Sequence, residues 1–248
     1  MARMNREIIL VKYGSRSLTG DPAKIENLEI NIDKYSSGLV GYKGRIVVVS
    51  SGAVFCGGLL EPRLKDESVL ATIGNPFLFR VWQEAFLGLN TIASQILVTH
   101  RELGIKEERL RLRQVINSSM VSDVVPIINE NDALSDEELK KLVYGGDNDG
   151  IAREIAEISG ATRLILFTNE EGFMVDGKLK ASLSLSQARG LTNHATRSDR
   201  GGGMVTKLNA AINFVASGEN RKAHIAMAGE NIESVLSGSR GTMISATE

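Results

Sequence analysis

Two acidic-amide clusters and one glycine-rich loop hold most of the reactive side chains in this sequence. The segment Val143-Tyr-Gly-Gly-Asp-Asn-Asp-Gly150 places Asp147, Asn148 and Asp149 in one turn ahead of a helical pattern. The segment Asn129-Glu-Asn-Asp132 supplies a second set of carboxylates and carboxamides. Such groups suit a small ligand that carries a positive charge. A third segment, Gly201-Gly-Gly-Met-Val-Thr-Lys207, is a glycine-rich run ending in a lysine on a new helix, a suitable cradle for phosphates. A pocket for an ammonium-bearing ligand beside a phosphate cradle reads as a kinase of a small metabolite.

Two further turns carry groups of the same kind. Val11-Lys12-Tyr13-Gly14-Ser15 places an ammonium and exposed backbone N–H groups at a strand end. Ser50-Ser51-Gly52-Ala53 repeats the N–H-rich turn and opens a helix. Ordinary strand-to-helix turns also use Gly and Ser, so each turn alone says little. Neither loop has Walker spacing, and no Gly-x-Gly-x-x-Gly follows the first strand. Asp147, Asn148 and Asp149 also fit a plain helix cap. Paired carboxylates can hold a metal, but an EF-hand pattern is absent and no residue is assigned to one.

These turns need a scaffold that brings strand ends together. Short apolar runs at Ile8–Val11, Ile46–Val49, Ile96–Val98, Val124–Ile128, Leu164–Phe167 and Ala223–Met227 lack alternation, as a parallel sheet covered on both faces requires. A last strand is expected at Thr242–Ile244. Helical patterns lie between them, at roughly 22–41, 66–90, 106–122, 148–160 and 203–218, with Asp66 and Asp149 as acidic starts. The expected fold is α/β, a three-layer αβα sandwich with a mainly parallel central sheet. The Asp-Gly pair within 172–181 fits a hairpin, and 192–203, rich in Thr, Ser, Arg and Gly, is expected to be a mobile loop.

The bulk properties narrow the classes. At 248 residues the chain can bury a sizeable core, and its 42% hydrophobic and 24% charged residues are ordinary for a globular protein. Lys and Arg number 29 against 30 acidic residues, without a basic run, which argues against a nucleic-acid partner. No apolar segment is long enough to span a bilayer, and the charged N-terminus does not read as a signal peptide. Cys56 is the single cysteine, read as a small buried residue in a reducing, cytoplasmic setting. His100, His194 and His224 show no metal-ligand spacing and are read as solvated or hydrogen-bonded. Trp82, Phe77, Phe79 and Phe86 read as the core face of a helix.

From Ile8 to about Ile244 the chain resembles the glutamate 5-kinases of the amino-acid kinase superfamily. The likeness rests on Val11-Lys-Tyr-Gly-Ser15, Val49-Ser-Ser-Gly-Ala53, Ala71-Thr-Ile-Gly-Asn-Pro76, Gln83-Glu-Ala-Phe86, Val125-Pro-Ile-Ile-Asn-Glu-Asn-Asp132, Gly146-Asp-Asn-Asp149, Gly202-Gly-Met-Val-Thr-Lys207 and Gly241-Thr242. It implies ATP-dependent phosphorylation of the L-glutamate side-chain carboxylate, the first step of proline biosynthesis, with Mg²⁺ accompanying the nucleotide. It also implies a homo-dimer or homo-tetramer. The chain resembles a short form, with one kinase domain over 1–248 and no PUA domain. Its part up to about 160 would bind glutamate, and its part from about 161 would bind nucleotide.

Residue by residue, the resemblance makes Lys12, Asp149 and Lys207 catalytic, with Asp149 holding the two lysines in position. Ser51, Gly52, Asn129, Asp132, Asp147 and Asn148 would receive glutamate. Lys12, Gly14, Ser15, Thr168 and Asn169 would face the nucleotide. So would the run Gly201, Gly202, Gly203, Met204, Val205, Thr206 and Lys207. The chain departs from the family pattern at Arg16, at Asn169 where Asp is usual, and at Gly201 where the loop usually carries Thr. Other superfamily phosphotransferases, acting on acetylglutamate, aspartate, carbamate or UMP, are the alternatives, along with a catalytically impaired glutamate-binding homologue. Acidic side chains at the pocket favour a free α-ammonium over an acetylated or phosphorylated acceptor.

Overall fold

Alternate residues along each central strand enter two different cores, which is why the apolar runs show no polar face. Leu10, Val47, Val49, Leu164 and Leu166 pack into one cluster, and Ile9, Val11, Val48, Ile165 and Phe167 into the other. Both faces are therefore covered, as expected of parallel strands between helical layers. The computed structural model describes residues 6–135, 148–198 and 203–247. Asp147, Gly201 and Gly202 lie outside the described residues, as does the side chain of His194.

The strands are β1 (Ile8–Tyr13), β2 (Arg45–Ser50), β3 (Ile92–Val98), β4 (Val124–Glu130), β5 (Arg163–Thr168), β6 (Met174–Val175), β7 (Lys178–Leu179), β8 (Ser182–Ser184), β9 (Lys222–Met227) and β10 (Thr242–Ser245). Eight of them form one sheet in the order β3-β4-β2-β1-β5-β9-β10-β8. Every pairing in it is parallel except β9 with β10. The described helices are α1 (Ser15–Thr19), α2 (Ile25–Val40), α3 (Ala53–Leu60), α4 (Glu67–Gly88), α5 (His100–Gly104), α6 (Lys106–Val121), α7 (Asn148–Ser159), α8 (Leu185–Ser198), α9 (Gly203–Ala216) and α10 (Ile232–Leu236). Helices α6, α7, α8 and α9 pack with the first cluster; α1, α2, α3, α4 and α10 pack with the second. None of the described helices is long and apolar enough to cross a membrane.

Register decides what the sheet presents at its carboxyl edge. Tyr13 of β1 pairs with Ser50 of β2, Val49 of β2 with Ile128 of β4, and Lys12 of β1 with Leu166 of β5. The turns after β1, β2, β4 and β5 therefore emerge side by side, the edge at which open α/β sheets receive ligands.

Local signals explain several boundaries. Asp66 caps α4 by accepting the Val69 N–H at 3.1 Å. Asp176 and Gly177 both have positive φ, 49° and 73°, and join β6 to β7 as an antiparallel hairpin. The loop expected at 192–203 is instead helical in α8 up to Ser198, and α9 begins at Gly203; residues 199–202 of it lie outside the described residues. Ala188 is buried in the first core, with Leu185 and Leu191 packed against it at helical spacing, and this thin stripe offsets the polar composition. Cys56 is buried and its thiol is pushed up to about 12 by burial, consistent with an inert core residue.

His224 on β9 is wholly enclosed rather than solvated. Burial first, then the charges of Arg163 and Lys222, push its imidazole down to about 3, against an opposing Val235 backbone hydrogen bond. The folded protein thus keeps this ring neutral at pH values where the unfolded chain binds a proton. Stability from this source is present near neutrality and is lost as pH falls from 6.5 towards about 3. The loss is expected to approach ~1.4 kcal/mol per pH unit. Urea midpoints between those limits should decline less steeply for His224→Gln; identical slopes would refute the assignment.

Candidate active site

Lys12 is the last but one residue of β1, the central strand from which the site is built. Its side chain is almost fully buried, and its Nζ lies 2.7 Å from Asp149 Oδ1. Asp149 is the second residue of α7 and has no exposed surface. Its other oxygen, Oδ2, accepts from Lys207 Nζ at 3.1 Å. The Thr206 hydroxyl lies 3.2 Å from the same Oδ2 and 3.0 Å from the Gly203 carbonyl. Lysines from opposite ends of the chain thus meet on one carboxylate, and Lys207 also approaches the Gly203 carbonyl at 3.5 Å.

The electrostatics of this cluster are set by opposing effects. Burial alone would raise the Asp149 carboxyl, but the Lys12 and Lys207 charges outweigh it and hold the group below its ordinary range. Asp149 therefore stays ionised, and two cations share one anion. Among the described residues that cluster carries one more positive charge than negative, in an environment where water screens little. That surplus can meet an anion, and the first turn of α9 adds backbone N–H groups with the favourable end of the helix dipole.

The neighbouring turns are fitted closely around Lys12. A Cβ on Gly14 would stand 3.7 Å from Lys12 Nζ. Gly52 has φ +115°, which disfavours any side chain, and a Cβ there would face Ser15 Cα at 3.6 Å. The turns after β1 and β2 are therefore in contact. Ser51 is buried, its N–H donates to the Tyr13 carbonyl at 3.0 Å, and its Oγ accepts from Asn148 Nδ2 at 2.9 Å. Asn148 and Asp149, adjacent on α7, thus reach the turn after β2 and the end of β1 respectively.

The remaining candidates are distributed around this centre. Asn129, at the end of β4, is buried with its carboxamide engaged on both sides. Its Nδ2 donates to Asn75 Oδ1 at 2.7 Å, and its Oδ1 accepts from the Glu130 N–H at 2.9 Å. Asp132 is half-buried on the following turn, which is held by Asn131 N–H donating to the Val98 carbonyl at 2.8 Å. Thr168 is half-buried at the end of β5, its carbonyl accepting from Ala228 N–H at 2.8 Å, and Asn169 next to it is exposed. Gly203 is exposed at the start of α9, Val205 is half-buried, and Met204 packs against the first core.

Three contacts had no counterpart in the residue-level expectations. Asn75, inside the apolar helix α4, meets Asn129. Trp82, one face along the same helix, donates its indole N–H to Ser50 Oγ at 3.0 Å. Glu130 is buried, accepts from Ser135 Oγ at 2.5 Å and faces His100 Nε2 at 3.4 Å, so His100 is a buried ring beside a carboxylate rather than a solvated one. The signal for the first was present in Gly74-Asn75-Pro76, a polar and helix-breaking pair inside an apolar helix. Tyr13 stacks on Tyr35 and Phe167 with centroids 4.7 and 4.8 Å away, giving β1 a rigid aromatic floor.

A cavity of about 190 Å³ opens at the opposite, amino-terminal edge of the sheet, beside Arg6, Tyr42, Arg45 and Phe86, and has no part in this arrangement. Among the described residues no three metal-ligating side chains converge.

The sequence model of the amino acid kinase family matches residues 7–227. The chain belongs to this family. Among amino acid kinases it is 33% identical over 220 residues to glutamate 5-kinase 2 of Pseudoalteromonas translucida, covering 83% of this chain and 59% of that one. It is 30% identical over 221 residues to the glutamate 5-kinase of Vibrio parahaemolyticus, covering 83% of this chain and 57% of the other. The chain thus spans a little under six-tenths of the length of these relatives. In fold it is similar to the carbamate kinase of Giardia lamblia bound to AMP-PNP, with TM-score 0.69 at 16% identity over 98% of this chain and 99% of that one. It is equally similar to the N-acetylglutamate synthase of Neisseria gonorrhoeae, with TM-score 0.69 at 16% identity, over 98% of this chain and 60% of the other. At such identities the likeness shows the shared fold.

Proposed function

We propose that this amino acid kinase transfers the terminal phosphoryl group of ATP to the side-chain carboxylate of L-glutamate, giving L-glutamyl 5-phosphate, the first step of proline biosynthesis. The observation that carries the proposal is the enclosed Asp149 carboxylate holding Lys12 and Lys207 together. A carboxylate acceptor has an ordinary pKa near 4.3 and is already ionised at neutral pH, so no general base is needed. The reaction needs in-line placement and cancellation of repulsion between two anions. The two ammonium groups supply that cancellation, and Asp149 keeps them from separating.

The acceptor belongs on the side of the part up to about 160, at Ser51, Gly52, Asn148, Asn129 and Asp132, with Asp147 beside them in sequence. Acidic groups there suit a free α-ammonium. The part from about 161 would receive the nucleotide at Thr168, Asn169 and the segment from Gly201 to Lys207, with Gly14 and Ser15 across from it. The donor set fits a polyphosphate: two ammonium groups, glycine-bearing turns and a helix N-terminus. Mg²⁺ characteristically binds through phosphate oxygens and water with one or two protein carboxylates. The site requires no cage of its own, and the ion would add charge neutralisation on the phosphates. A homo-dimer or homo-tetramer in the cytoplasm completes the proposal.

The test is hydroxamate formation from purified protein with glutamate, ATP, Mg²⁺ and hydroxylamine. Glutamyl hydroxamate dependent on all components is the expected result. A folded sample that forms none at high enzyme concentration would count decisively against the proposal. A panel with acetylglutamate, aspartate, carbamate and UMP, read by ADP release, places the acceptor among the alternatives.

A further inference from the structure

We propose that Asn75 is a positioning residue for the acceptor substrate: it sets the orientation of the Asn129 carboxamide and ties helix α4 to the site. This rests on the phosphotransfer reading above and deepens it. The Glu130 backbone N–H can only donate, so the oxygen of Asn129 must face it. The Asn129 nitrogen therefore points the other way, toward Asn75, and the Asn75 atom it meets must be an acceptor, Oδ1 at 2.7 Å. The orientation of both amides follows from that one backbone donor. An amide nitrogen carries two hydrogens, so Asn129 keeps a second N–H for an acceptor substrate.

The helix that carries Asn75 is itself fixed at close range. A Cβ on Gly74 would fall 1.8 Å from the Ala53 carbonyl, and one on Gly57 would fall 2.1 Å from the Leu70 carbonyl. Helices α3 and α4 therefore touch backbone to backbone, right after the Ser51-Gly52 turn. Two turns along α4, Trp82 bonds to Ser50 at the end of β2. One helix thus grips the ends of β2 and β4, the two strands that lead into Ser51 and Asn129. A buried Asn followed by Pro76 inside a 22-residue helix goes against local helix preference, as residues retained for a site commonly do.

The experiment compares Asn75→Leu, which has similar volume and no acceptor, with Asn75→Asp, which keeps an oxygen at the same place. In steady-state assays Asn75→Leu should raise the KM for glutamate by roughly 10-fold or more, as expected for a buried amide left without its partner. The KM for ATP should stay within about 2-fold, since the nucleotide is held elsewhere, and Asn75→Asp should recover most of the glutamate affinity. Unchanged KM for glutamate in folded Asn75→Leu overturns the proposal. So do equal rises for both substrates, or an Asn75→Asp variant no better than Asn75→Leu. If Asn75→Leu does not fold, Asn75→Ser, too short to reach Asn129, takes its place. A wild type that ignores glutamate but uses another acceptor overturns the glutamate assignment alone, and the same comparison is run with that acceptor. A wild type that uses no acceptor overturns both.

Discussion

Lys207→Ala is expected to lower kcat by roughly two to three orders of magnitude while leaving the protein folded, the typical loss when one preorganised stabiliser of transition-state charge is removed. The two halves of this expectation have separate origins. Lys207 stands on the first turns of α9 with its side chain 12% exposed, and its removal vacates space beside Asp149 at the site, not among the apolar residues of either core. Asp149 would still be paired with Lys12 at 2.7 Å, so no buried charge is orphaned. The change in melting temperature should therefore be small. The reaction, in contrast, would lose one of the two cations available to a migrating phosphoryl group. Lys207→Arg should not restore the rate, because a planar guanidinium cannot occupy the position of a compact ammonium. Turnover of Lys207→Ala within about threefold of wild type would remove Lys207 from the chemistry, because it is far below the loss expected for such a group.

Much of the scaffold was legible because its signals are local. Unbroken apolar runs required strands with two covered faces, and the two interleaved cores answer that requirement. Asp66 and Asp176-Gly177 act through their own backbone neighbourhoods, so their roles could be read directly. Helix α8 was not readable by composition, since Leu185, Ala188 and Leu191 are a narrow stripe among polar residues. Strand β8, three residues at the sheet edge, is too short to leave a periodic mark. The site is legible only in part for a different reason. Asp149 could equally have been a solvated helix start. Its burial between two lysines depends on strand order, with β1 lying between β2 and β5, which no local pattern encodes. Asn75 lies in one of the motifs that carry the family likeness, but a polar residue in a helix gives no local sign of a buried partner. Its actual partner lies on another strand.

Asp149→Asn should have the largest combined effect on stability and activity, and a second substitution distinguishes its causes. The carboxylate is fully enclosed and offsets two cations, of which Lys12 is the more deeply buried. Replacing it with a neutral amide leaves the Lys12 ammonium facing Lys207 without an anion between them. Breaking a buried pair in this way is expected to cost about 3–5 kcal/mol, and turnover should fall to background because neither lysine is held in place. Acidification approaches the same state. The Asp149 carboxyl is held below its ordinary range, so its contribution is present above the unfolded carboxylate pKa and is lost as pH falls through the lower folded value. The double variant then reverses a sign. In the wild-type background Lys12→Met removes the closer and more deeply buried partner of Asp149, at 2.7 Å, and leaves only the more exposed Lys207 at 3.1 Å, so it should destabilise. In the Asp149→Asn background it removes an uncompensated buried charge and should stabilise, raising the melting temperature while activity stays lost. A double-mutant cycle followed by denaturant unfolding measures both steps. If Lys12→Met shifts stability by the same amount and in the same direction in both backgrounds, Lys12 and Asp149 do not act as an electrostatic pair.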